Sequence, residues 1–321
     1  MAKKPLRVGI VMDPIESITP YKDSSLAMLL EAERREAEIH YFNQADLKIV
    51  SGTALGRSRR LNVEDSRSNW WRFGEEREIA LGELDVILMR KDPPFDMEYI
   101  YTTYILDRAK HAGALIMNDP EALRNMNEKA YTAWFPDCVP ATLITRSMDE
   151  MRAFLAEHGH AVIKPLGGMG GRSIFVIRQG DKNANVVFET LTDYGRQFAM
   201  AQTYIPEISL GDKRILLFDG EPVPYALARI PSDEDNRGNL VMGAVGKGQP
   251  LSDRDREICA RVGPALRDGG VIFAGIDVIG DYLTEVNVTS PTGMREIDEQ
   301  FDLNTAGLMF DAIERRLGRN G

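Results

Sequence analysis

The first third of the chain alternates short apolar runs with stretches in which apolar residues recur at helical spacing. The runs predict buried strands, and the stretches 24–38 and 99–111 predict helices, the first of them capped by Ser24 or Ser25. Strand, helix and strand in succession are typical of an α/β layer. The polar segment 51–76 is expected to form short hairpins or loops. The predicted strands are residues 6–12, 38–42, 85–90 and 114–117.

The rest of the chain combines predicted hairpins with helices, which indicates an α+β organisation. A helix is expected over residues 127–135, a capping box at Ser147 begins another, and Ser252 caps a third. The first domain boundary is expected between Pro120 and Asn127. The predicted strands of this part are residues 142–145, 161–164, 174–177, 198–202, 213–218, 221–229, 273–279 and 283–288.

A glycine-rich loop follows the apolar run that ends in Lys164. Glycine lets successive N–H groups turn toward one point, and a lysine beside such a loop indicates a phosphate ligand. The spacing is not that of the P-loop, because no Gly-Lys-Ser/Thr opens a helix. A plain hairpin with Lys164 in solvent explains this stretch alone about as well. The loop glycines are Gly167, Gly168, Gly170 and Gly171.

The predicted hairpin 273–288 carries a carboxylate inside each apolar strand. A loop of three residues, 280–282, would pair Asp277 with Glu285 and bring Asn287 to the same face, whereas a loop of two would move Asp277 to the other face. We expect the three-residue loop, because buried carboxylates need a partner. Two carboxylates and an amide oxygen on one face predict a Mg²⁺ site completed by phosphate oxygens.

A second predicted hairpin turns at Asp219-Gly220, a type I′ signal that pairs Phe218 with Glu221 and therefore Arg214 with Tyr225. Alternation then places Arg214, Tyr225 and Arg229 on one face. Two arginines without acidic partners in the hairpin indicate an anionic ligand. The alternative is a solvated, charged face of the sheet.

Further candidates lie where predicted strands end, since ligand groups gather at the carboxyl ends of strands in open α/β sheets. Asp13, Arg90 and Asp92 hold such positions, but neighbouring prolines also make them plausible turn residues, Asp13 above all. The segment 289–293 offers side-chain hydroxyls and free N–H groups, which suit a small carboxylate. The aperiodic segment 230–248 is either a lid over a site or a disordered insertion.

Composition narrows the class of protein. The 321 residues suffice for two or three domains, and a net charge of −10 argues against nucleic acid as the main partner. Two distant cysteines, Cys138 and Cys259, form no disulfide framework and fit the cytoplasm. We expect no membrane partner, because no apolar run reaches the ~20 residues that a spanning helix needs.

Several motifs together resemble the ATP-grasp superfamily and, within it, the bacterial glutathione synthetases. The Arg-Lys-Asp-Pro-Pro and Asn-Val-Thr-Ser-Pro stretches are the most specific of them, and the similarity runs nearly end to end. One departure is Arg172, where a small residue is expected before Ser173, and the segment 241–247 also diverges. The motifs are residues 11–14, 88–95, 127–129, 164–165, 168–171, 212–214, 222–225, 228–231 and 284–291.

The resemblance implies an ATP-grasp fold behind an N-terminal Rossmann-like pre-ATP-grasp domain. The implied α/β domain covers residues 1–122. The implied ATP-grasp domain covers 123–321 and divides into subdomains at about 123–204 and 205–321. The second subdomain would carry the lid, 230–248. Family resemblance also implies a homotetramer.

The resemblance also implies roles for individual residues. Arg214 and Arg229 match the catalytic arginines at the reacting carboxyl group, and Asp277, Glu285 and Asn287 match the ligands of Mg²⁺, for which Mn²⁺ is a possible substitute. The residues expected to bind ATP are Lys129, Lys164, Gly168, Met169, Gly170, Gly171, Gln202, Thr203, Tyr204, Ile205 and Asp212. The residues expected to bind the other substrates are Asp13, Arg90, Asp92, Tyr225, Val288, Thr289 and Ser290.

The implied reaction joins γ-glutamylcysteine to glycine at the expense of ATP, through an acyl phosphate. It needs no enzyme nucleophile, which agrees with the lack of a Ser-His-Asp or Cys-His pattern. Two alternatives remain: an ATP-grasp ligase with a different acid and amine, and a non-catalytic ATP-binding scaffold. A Rossmann oxidoreductase is disfavoured, because no Gly-x-Gly-x-x-Gly follows the first strand.

Overall fold

The computed structural model describes residues 4–168, 171–230 and 245–319, whose strands form three sheets. The first sheet contains β1 (Arg7–Val11), β2 (Glu38–Phe42), β3 (Leu47–Val50), β4 (Thr53–Val63), β5 (Trp71–Ala80), β6 (Val86–Met89) and β7 (Leu115–Met117). Its order is β3-β4-β2-β1-β6-β7, and β5 pairs with β4. Strand β1 runs parallel to β2 and β6, and β6 runs parallel to β7, which confirms the predicted α/β layer.

Helices α1 (Ser24–Arg34), α2 (Met97–His111) and α3 (Pro120–Asn125) accompany this sheet. The cap of α1 is Asp23, whose carboxylate accepts a hydrogen bond from the Leu26 N–H at 2.7 Å, and not Ser24 or Ser25 as predicted. The expected short hairpins or loops are one long hairpin, β4–β5. The alternation of buried and exposed positions in β4 is hard to recognise from the sequence, because two of the buried residues, Gly56 and Ser58, are not apolar side chains.

The second sheet is antiparallel, in the order β10-β9-β11-β8. Its strands are β8 (Thr142–Thr145), β9 (His160–Pro165), β10 (Phe175–Arg178) and β11 (Ala199–Thr203), and its helices are α4 (Met148–His158) and α5 (Ala184–Thr192). The helix predicted over 127–135 is only a 3-10 turn, Ala130–Trp134. Asn127 explains the difference, because its side chain accepts bonds from the N–H groups of Lys129 and Ala130 and competes with helical pairing.

The third sheet is antiparallel, in the order β14-β13-β12-β15-β16. Its strands are β12 (Asp212–Phe218), β13 (Glu221–Ile230), β14 (Val245–Pro250), β15 (Phe273–Ile279) and β16 (Tyr282–Asn287), and its helices are α6 (Asp253–Asp268), α7 (Met294–Phe301) and α8 (Thr305–Arg316). The predicted lid, 230–248, is wrong at its C-terminal end, where β14 pairs with β13. Residues 231–244 of that prediction lie outside the described residues.

The register of β12 and β13 differs from the prediction. Phe218 pairs with Glu221, as the two-residue turn requires, but Arg214 pairs with Leu227 and not with Tyr225. The cause is an irregularity between Ile215 and Leu217, where β13 contributes two more residues than β12 around Pro222-Val223-Pro224. Proline cannot donate to the ladder, so such a segment favours a bulge.

The predicted three-residue loop between β15 and β16 is also wrong, yet the pairing it was meant to produce is present. Ile279 pairs with Tyr282, which leaves a loop of two, while Asp277 still pairs with Glu285. A bulge at Thr284 adds the missing residue, and the Thr284 hydroxyl donates to the Asp277 carbonyl oxygen at 3.1 Å. The bulge therefore returns both carboxylates to one face.

The first and third sheets are joined through Asn118, which follows β7 and is buried. Its amide nitrogen donates to the carbonyl oxygens of Phe273 (2.6 Å) and Val288 (2.7 Å), and its oxygen accepts from the N–H groups of Ile272 and Phe273. Both N–H groups and both lone pairs of the Asn118 amide are therefore hydrogen-bonded, and all four bonds hold the two sheets together. Within the described ranges, no helix has the length and apolar character that crossing a bilayer requires.

Candidate active site

A cavity of about 380 Å³ lies between the second and third sheets. Most of the residues that the sequence marks as candidates surround it, although they come from distant parts of the chain. Its charged and polar lining residues are Asp92, Glu128, Lys129, Lys164, Arg172, Gln202, Thr203, Tyr204, Asp212, Arg214, Arg229, Asp277, Thr284, Glu285, Asn287, Thr289, Ser290 and Thr292.

Asp277 is the most heavily paired carboxylate of the cavity. Arg214 donates to it through Nε (2.5 Å) and Nη2 (2.8 Å), and Arg229 Nη2 lies 2.9 Å away. The predicted absence of acidic partners for these arginines is therefore wrong: Asp277 comes from the neighbouring strand, and Asp212 lies in the hairpin itself. Burial alone would raise the pKa of Asp277, but the two guanidinium groups hold it below its usual range.

Glu285 and Asn287 share the face of Asp277, as the pairing of β15 with β16 requires. Asn287 Nδ2 lies 3.3 Å from Asp277 Oδ2, and Glu285 Oε1 lies 3.5 Å from Lys129 Nζ. No cluster of three His, Cys, Asp or Glu side chains suited to a metal occurs in the described part of the chain. Two carboxylates and an amide nevertheless fit Mg²⁺, which takes its remaining ligands from phosphate and water.

Two buried lysines face these carboxylates from the other side. Lys129 Nζ contacts Glu128 and donates to the Gly168 carbonyl oxygen at 3.0 Å, and Lys164 Nζ donates to the Thr284 carbonyl oxygen at 3.3 Å. Burial lowers the pKa of Lys164. Burial also acts to lower the pKa of Lys129, but Glu285 and Glu128 raise it overall. The pair forms a cationic wall suited to phosphate.

Arg229 also binds Asp212, whose Oδ2 lies 2.5 Å from Nη2. Burial raises the pKa of Asp212 to about 7; Arg229 opposes this rise, while Asp277 and Glu285 add to it. Asp212 Oδ1 and Arg229 Nε are buried without a hydrogen-bond partner among the described residues. Buried polar atoms in this state indicate that the site has room for polar groups of a ligand.

Gln202, Thr203, Tyr204 and Ile205 line the apolar end of the cavity. Gln202 Nε2 donates to Thr142 Oγ1 at 3.0 Å, and the Tyr204 ring stacks on His160 with 3.9 Å between centroids. Apolar side chains beside the polar groups of Gln202 and Thr203 suit a planar base. The remaining apolar lining residues here are Val162, Ile174, Val176, Ile208 and Ile279.

At the opposite end, Asp92, Thr289 and Ser290 line the cavity, and the Ser290 hydroxyl donates to Asp92 Oδ1 at 2.7 Å. Arg90 is buried behind them and donates to the Pro291 carbonyl oxygen at 3.1 Å. Asp13 accepts from the Asp92 N–H at 3.0 Å. The first sheet thus supports the wall of the cavity through strand-end residues.

Some predicted site residues are not among the lining residues. Tyr225 stacks on Phe301 at 3.7 Å between ring centroids, and Val288 is buried. Asp13 and Arg90 likewise lie behind the cavity wall. Met169 and Gly170 lie outside the described residues, while Gly168 and Gly171 line the cavity.

Sequence reasoning did not assign Glu128 and Thr284 to the site. Glu128 contacts Lys129 and lines the cavity, and only its position next to that lysine could have indicated it. Thr284 forms the bulge that aligns the carboxylates. Its signal was the odd number of residues between Asp277 and Glu285, which a two-residue loop cannot accommodate without a bulge.

Comparison with known proteins agrees with this geometry. Two solved structures share the fold at low identity and cover nearly the whole chain: D-cycloserine synthetase DcsG and D-alanyl-alanine synthetase A from Vibrio cholerae. For the first, the TM-score is 0.67 at 14% identity, covering 97% of this chain and 99% of the other. For the second, the TM-score is 0.60 at 11% identity, covering 99% and 100%. The fold, with its cavity between two antiparallel sheets, is the ATP-grasp fold.

Family models identify the protein family within this fold. The N-terminal domain of prokaryotic glutathione synthetase matches residues 6–124, and its ATP-grasp domain matches residues 128–302. Glutathione synthetase from Salmonella typhimurium LT2 is 55% identical, covering 98% of this chain and 100% of the relative. The enzyme from Vibrio cholerae serotype O1 is 54% identical, covering 97% and 98%. The chain belongs to the prokaryotic glutathione synthetase family.

The chain is therefore an ATP-dependent carboxylate–amine ligase that joins γ-glutamylcysteine to glycine and releases ADP and phosphate. Glutathione synthetases in general use a divalent metal together with ATP.

Proposed function

We propose that the cavity between the second and third sheets carries out this ligation by positioning and charge stabilisation alone. The observation that supports the proposal is the meeting of two lysines, two arginines and two carboxylates with an amide in one cavity. ATP would lie with its base at the end formed by residues 202–205 and its phosphates between Lys129 and Lys164. Asp212 would accept a bond from the ribose.

The metal is assigned as Mg²⁺, with Mn²⁺ as a substitute, held by Asp277, Glu285 and Asn287. Such an ion neutralises phosphate charge and fixes the geometry of the transferred group. The pairing of Asp277 with Arg214 and Arg229 supports the assignment, because this carboxylate stays ionised. Gly168 and Gly171, which line the cavity, would bind the phosphates through the loop that contains them. Met169 and Gly170, which are also assigned to ATP, lie outside the described residues.

Arg214 and Arg229 are assigned to the reacting carboxyl group. The carboxylate of γ-glutamylcysteine attacks the γ-phosphorus of ATP, so that ADP leaves and an acyl phosphate forms. The amine of glycine then attacks the acyl carbon, phosphate leaves, and the amine loses a proton. Arg229 would stabilise the charge that develops on the oxygens in both steps, because its guanidinium is buried and offers an unpartnered Nε–H.

The third substrate, glycine, is assigned to the wall formed by Asp92, Thr289 and Ser290. Asp13 and Arg90 would support this wall from behind, which agrees with their contacts. Val288 and Tyr225 are assigned to the substrates on the family pattern alone. Arg90 acts by holding the Pro291 carbonyl oxygen and Asp13 by holding the Asp92 N–H.

The domain assignment is part of the proposal. An α/β domain would cover residues 1–122, and an ATP-grasp domain would cover 123–321 with subdomains near 123–204 and 205–321. The ranges of the three sheets and of the two family models support this division. We also assign the enzyme to the cytoplasm and to a homotetramer. The family supports both assignments, and the two buried free cysteines suit a reducing compartment.

Trapping with hydroxylamine tests the proposed sequence of steps. Enzyme, ATP, Mg²⁺ and γ-glutamylcysteine are incubated without glycine, and hydroxamate is measured by mass spectrometry. The proposal predicts a hydroxamate of γ-glutamylcysteine that requires ATP and is greatly reduced in Arg229→Ala. Glutathione formation by the wild type without any trappable acyl group would contradict the acyl phosphate. Trapping that persists undiminished in Arg229→Ala would contradict the role of that arginine.

A further inference from the structure

Arg172 is an unusual residue in the loop between β9 and β10. Its side chain is exposed, yet it belongs to the lining of the cavity. The loop that carries it lies at the lysine end of the cavity. The Gly168 carbonyl oxygen accepts from Lys129 Nζ at 3.0 Å, and Asn127 Nδ2 donates to the Leu166 carbonyl oxygen at 3.1 Å. Arg172 therefore stands at the mouth of the part of the cavity assigned to phosphate.

The charges around the cavity show how Arg172 differs from its neighbours. The other four cations of the lining all have partners: Lys129, Arg214 and Arg229 pair with carboxylates, and Lys164 donates to a carbonyl oxygen. Arg172 has no ion pair or hydrogen bond with any described residue. Five carboxylates line the cavity, so Arg172 brings the number of cations to five as well. The lining carboxylates are Asp92, Glu128, Asp212, Asp277 and Glu285.

We propose that Arg172 is a third phosphate-binding cation, which binds the terminal phosphate of ATP together with Lys129 and Lys164. The inference rests on the proposed placement of ATP. A guanidinium fits two phosphate oxygens with parallel hydrogen bonds, which an ammonium cannot do. Arg172 lacks a carboxylate partner, so binding the nucleotide would break no ion pair of this side chain. It is thus a specificity residue for the length of the phosphate chain.

Nucleotide binding by the full-length enzyme tests the proposal. Calorimetry would measure the affinities of a non-hydrolysable ATP analogue, ADP and adenosine, each with Mg²⁺, for the wild type, Arg172→Ala and Arg172→Lys. The control is Arg178→Ala, because Arg178 is an exposed arginine on β10 outside the cavity lining. We expect Arg172→Ala to weaken binding of the ATP analogue about tenfold and ADP less, with adenosine unchanged. Arg172→Lys should recover part of the loss, and Arg178→Ala should bind all three as the wild type does.

Three outcomes would overturn the proposal, and only one of them would also overturn the proposed function. Equal affinities in wild type and Arg172→Ala would mean that the arginine is merely solvated, and the proposed function would stand. An equal loss for adenosine and the ATP analogue would mean that the side chain shapes the loop and contacts no phosphate. Failure of the wild type to bind any nucleotide would overturn the proposed function together with this inference.

Discussion

At the scale of single residues, Arg229 has the most demanding environment in the cavity. It is bound by Asp212 and Asp277, and burial opposes its charge, but these carboxylates raise its pKa overall. A guanidinium held in this way remains charged and fixed in place. Such preorganised charge contributes most where new negative charge appears in the transition state.

Replacing Arg229 should therefore affect turnover more than ATP binding. We expect Arg229→Ala to lower kcat about 100-fold and to change the KM for ATP less than about threefold. Arg229→Lys keeps the positive charge but loses the paired N–H donors of the guanidinium, so its kcat should lie between those of the wild type and Arg229→Ala. Steady-state kinetics with ATP varied at saturating γ-glutamylcysteine and glycine measure both constants. Equal factors of loss in kcat and in ATP affinity would show that the arginine binds ATP and plays no special part in the transition state.

His40 is buried far from the cavity and affects stability. Burial lowers its pKa to about 4, with smaller contributions in the same direction from Arg77 and Arg7. Glu38 lies 3.1 Å from Nε2, but its charge is shared with Arg60 and Arg77, so burial prevails. The folded state thus keeps the ring neutral, while the unfolded chain takes up a proton below pH 6.5. The stability due to His40 is full above that pH and is lost as the pH falls toward 4.

We expect the free energy of unfolding to decrease by about 2 kcal/mol between pH 7 and pH 5 because of this residue. Urea unfolding at several pH values measures the decrease. His40→Asn should remove that share of the pH dependence, and His111→Asn, at an exposed position on α2, should leave it unchanged. A wild-type slope retained in His40→Asn would contradict the account.

At the scale of secondary structure, two bulges decide where the site residues lie. The carboxylates Asp277 and Glu285 oppose each other because Thr284 adds a residue to β16. The sequence predicted this pairing through a three-residue loop that does not exist. The predicted pairing is correct because buried carboxylates need to share a face, but the loop length from which it was predicted is wrong. The two-residue turn of β12–β13 was predicted. Pro222 and Pro224 favour a bulge after it, but they do not reveal that the bulge adds two residues to β13.

The bulge leads to a prediction about Thr284. Its hydroxyl bonds to the Asp277 carbonyl oxygen, so Thr284→Val should loosen the bulge while preserving side-chain shape. We expect Mn²⁺ to bind about tenfold more weakly in the presence of ADP, because groups that orient metal ligands have effects of this size. Electron paramagnetic resonance measures free Mn²⁺ directly. Thr284→Ser keeps the hydroxyl and should bind as the wild type does; identical Mn²⁺ affinity in Thr284→Val would refute the role of the bulge.

The predicted strands and helices of the α/β layer were largely present because their apolar periodicity is strong. The helix caps predicted at Ser147 and Ser252 are also present, because both side chains accept the expected N–H bond. The capping box predicted at Ser147 is incomplete, since the Glu150 carboxylate accepts from Thr145 Oγ1. Contacts between sheets could not be derived in this way. Whether Arg90 enters the cavity or supports it depends on packing between Pro291 and Ser25, which are distant in sequence.

At the scale of the whole molecule, Asn118 joins the first sheet to β15 and β16, the strands that carry the proposed metal ligands. Its four hydrogen bonds are buried. Asn118→Ala would leave two carbonyl oxygens and two N–H groups without these partners. We expect a loss of about 3–5 kcal/mol in the free energy of unfolding, measured by urea denaturation.

The matched control is Asn62→Ala, because Asn62 is exposed and makes a single side-chain bond to Glu33. It should change stability by less than about 0.5 kcal/mol. Equal effects of the two substitutions would show that the first and third sheets are held together by other contacts.

The central claim is that one cavity couples ATP cleavage to peptide-bond formation. Phosphate release from ATP should be measured in the presence of Mg²⁺, with both γ-glutamylcysteine and glycine and with each of them omitted. The account predicts fast release only when both are present, with glutathione formed in equal amount. ATP that binds without any release would contradict it and point to a scaffold, while release that depends on a different acid or amine would point to another ATP-grasp ligase.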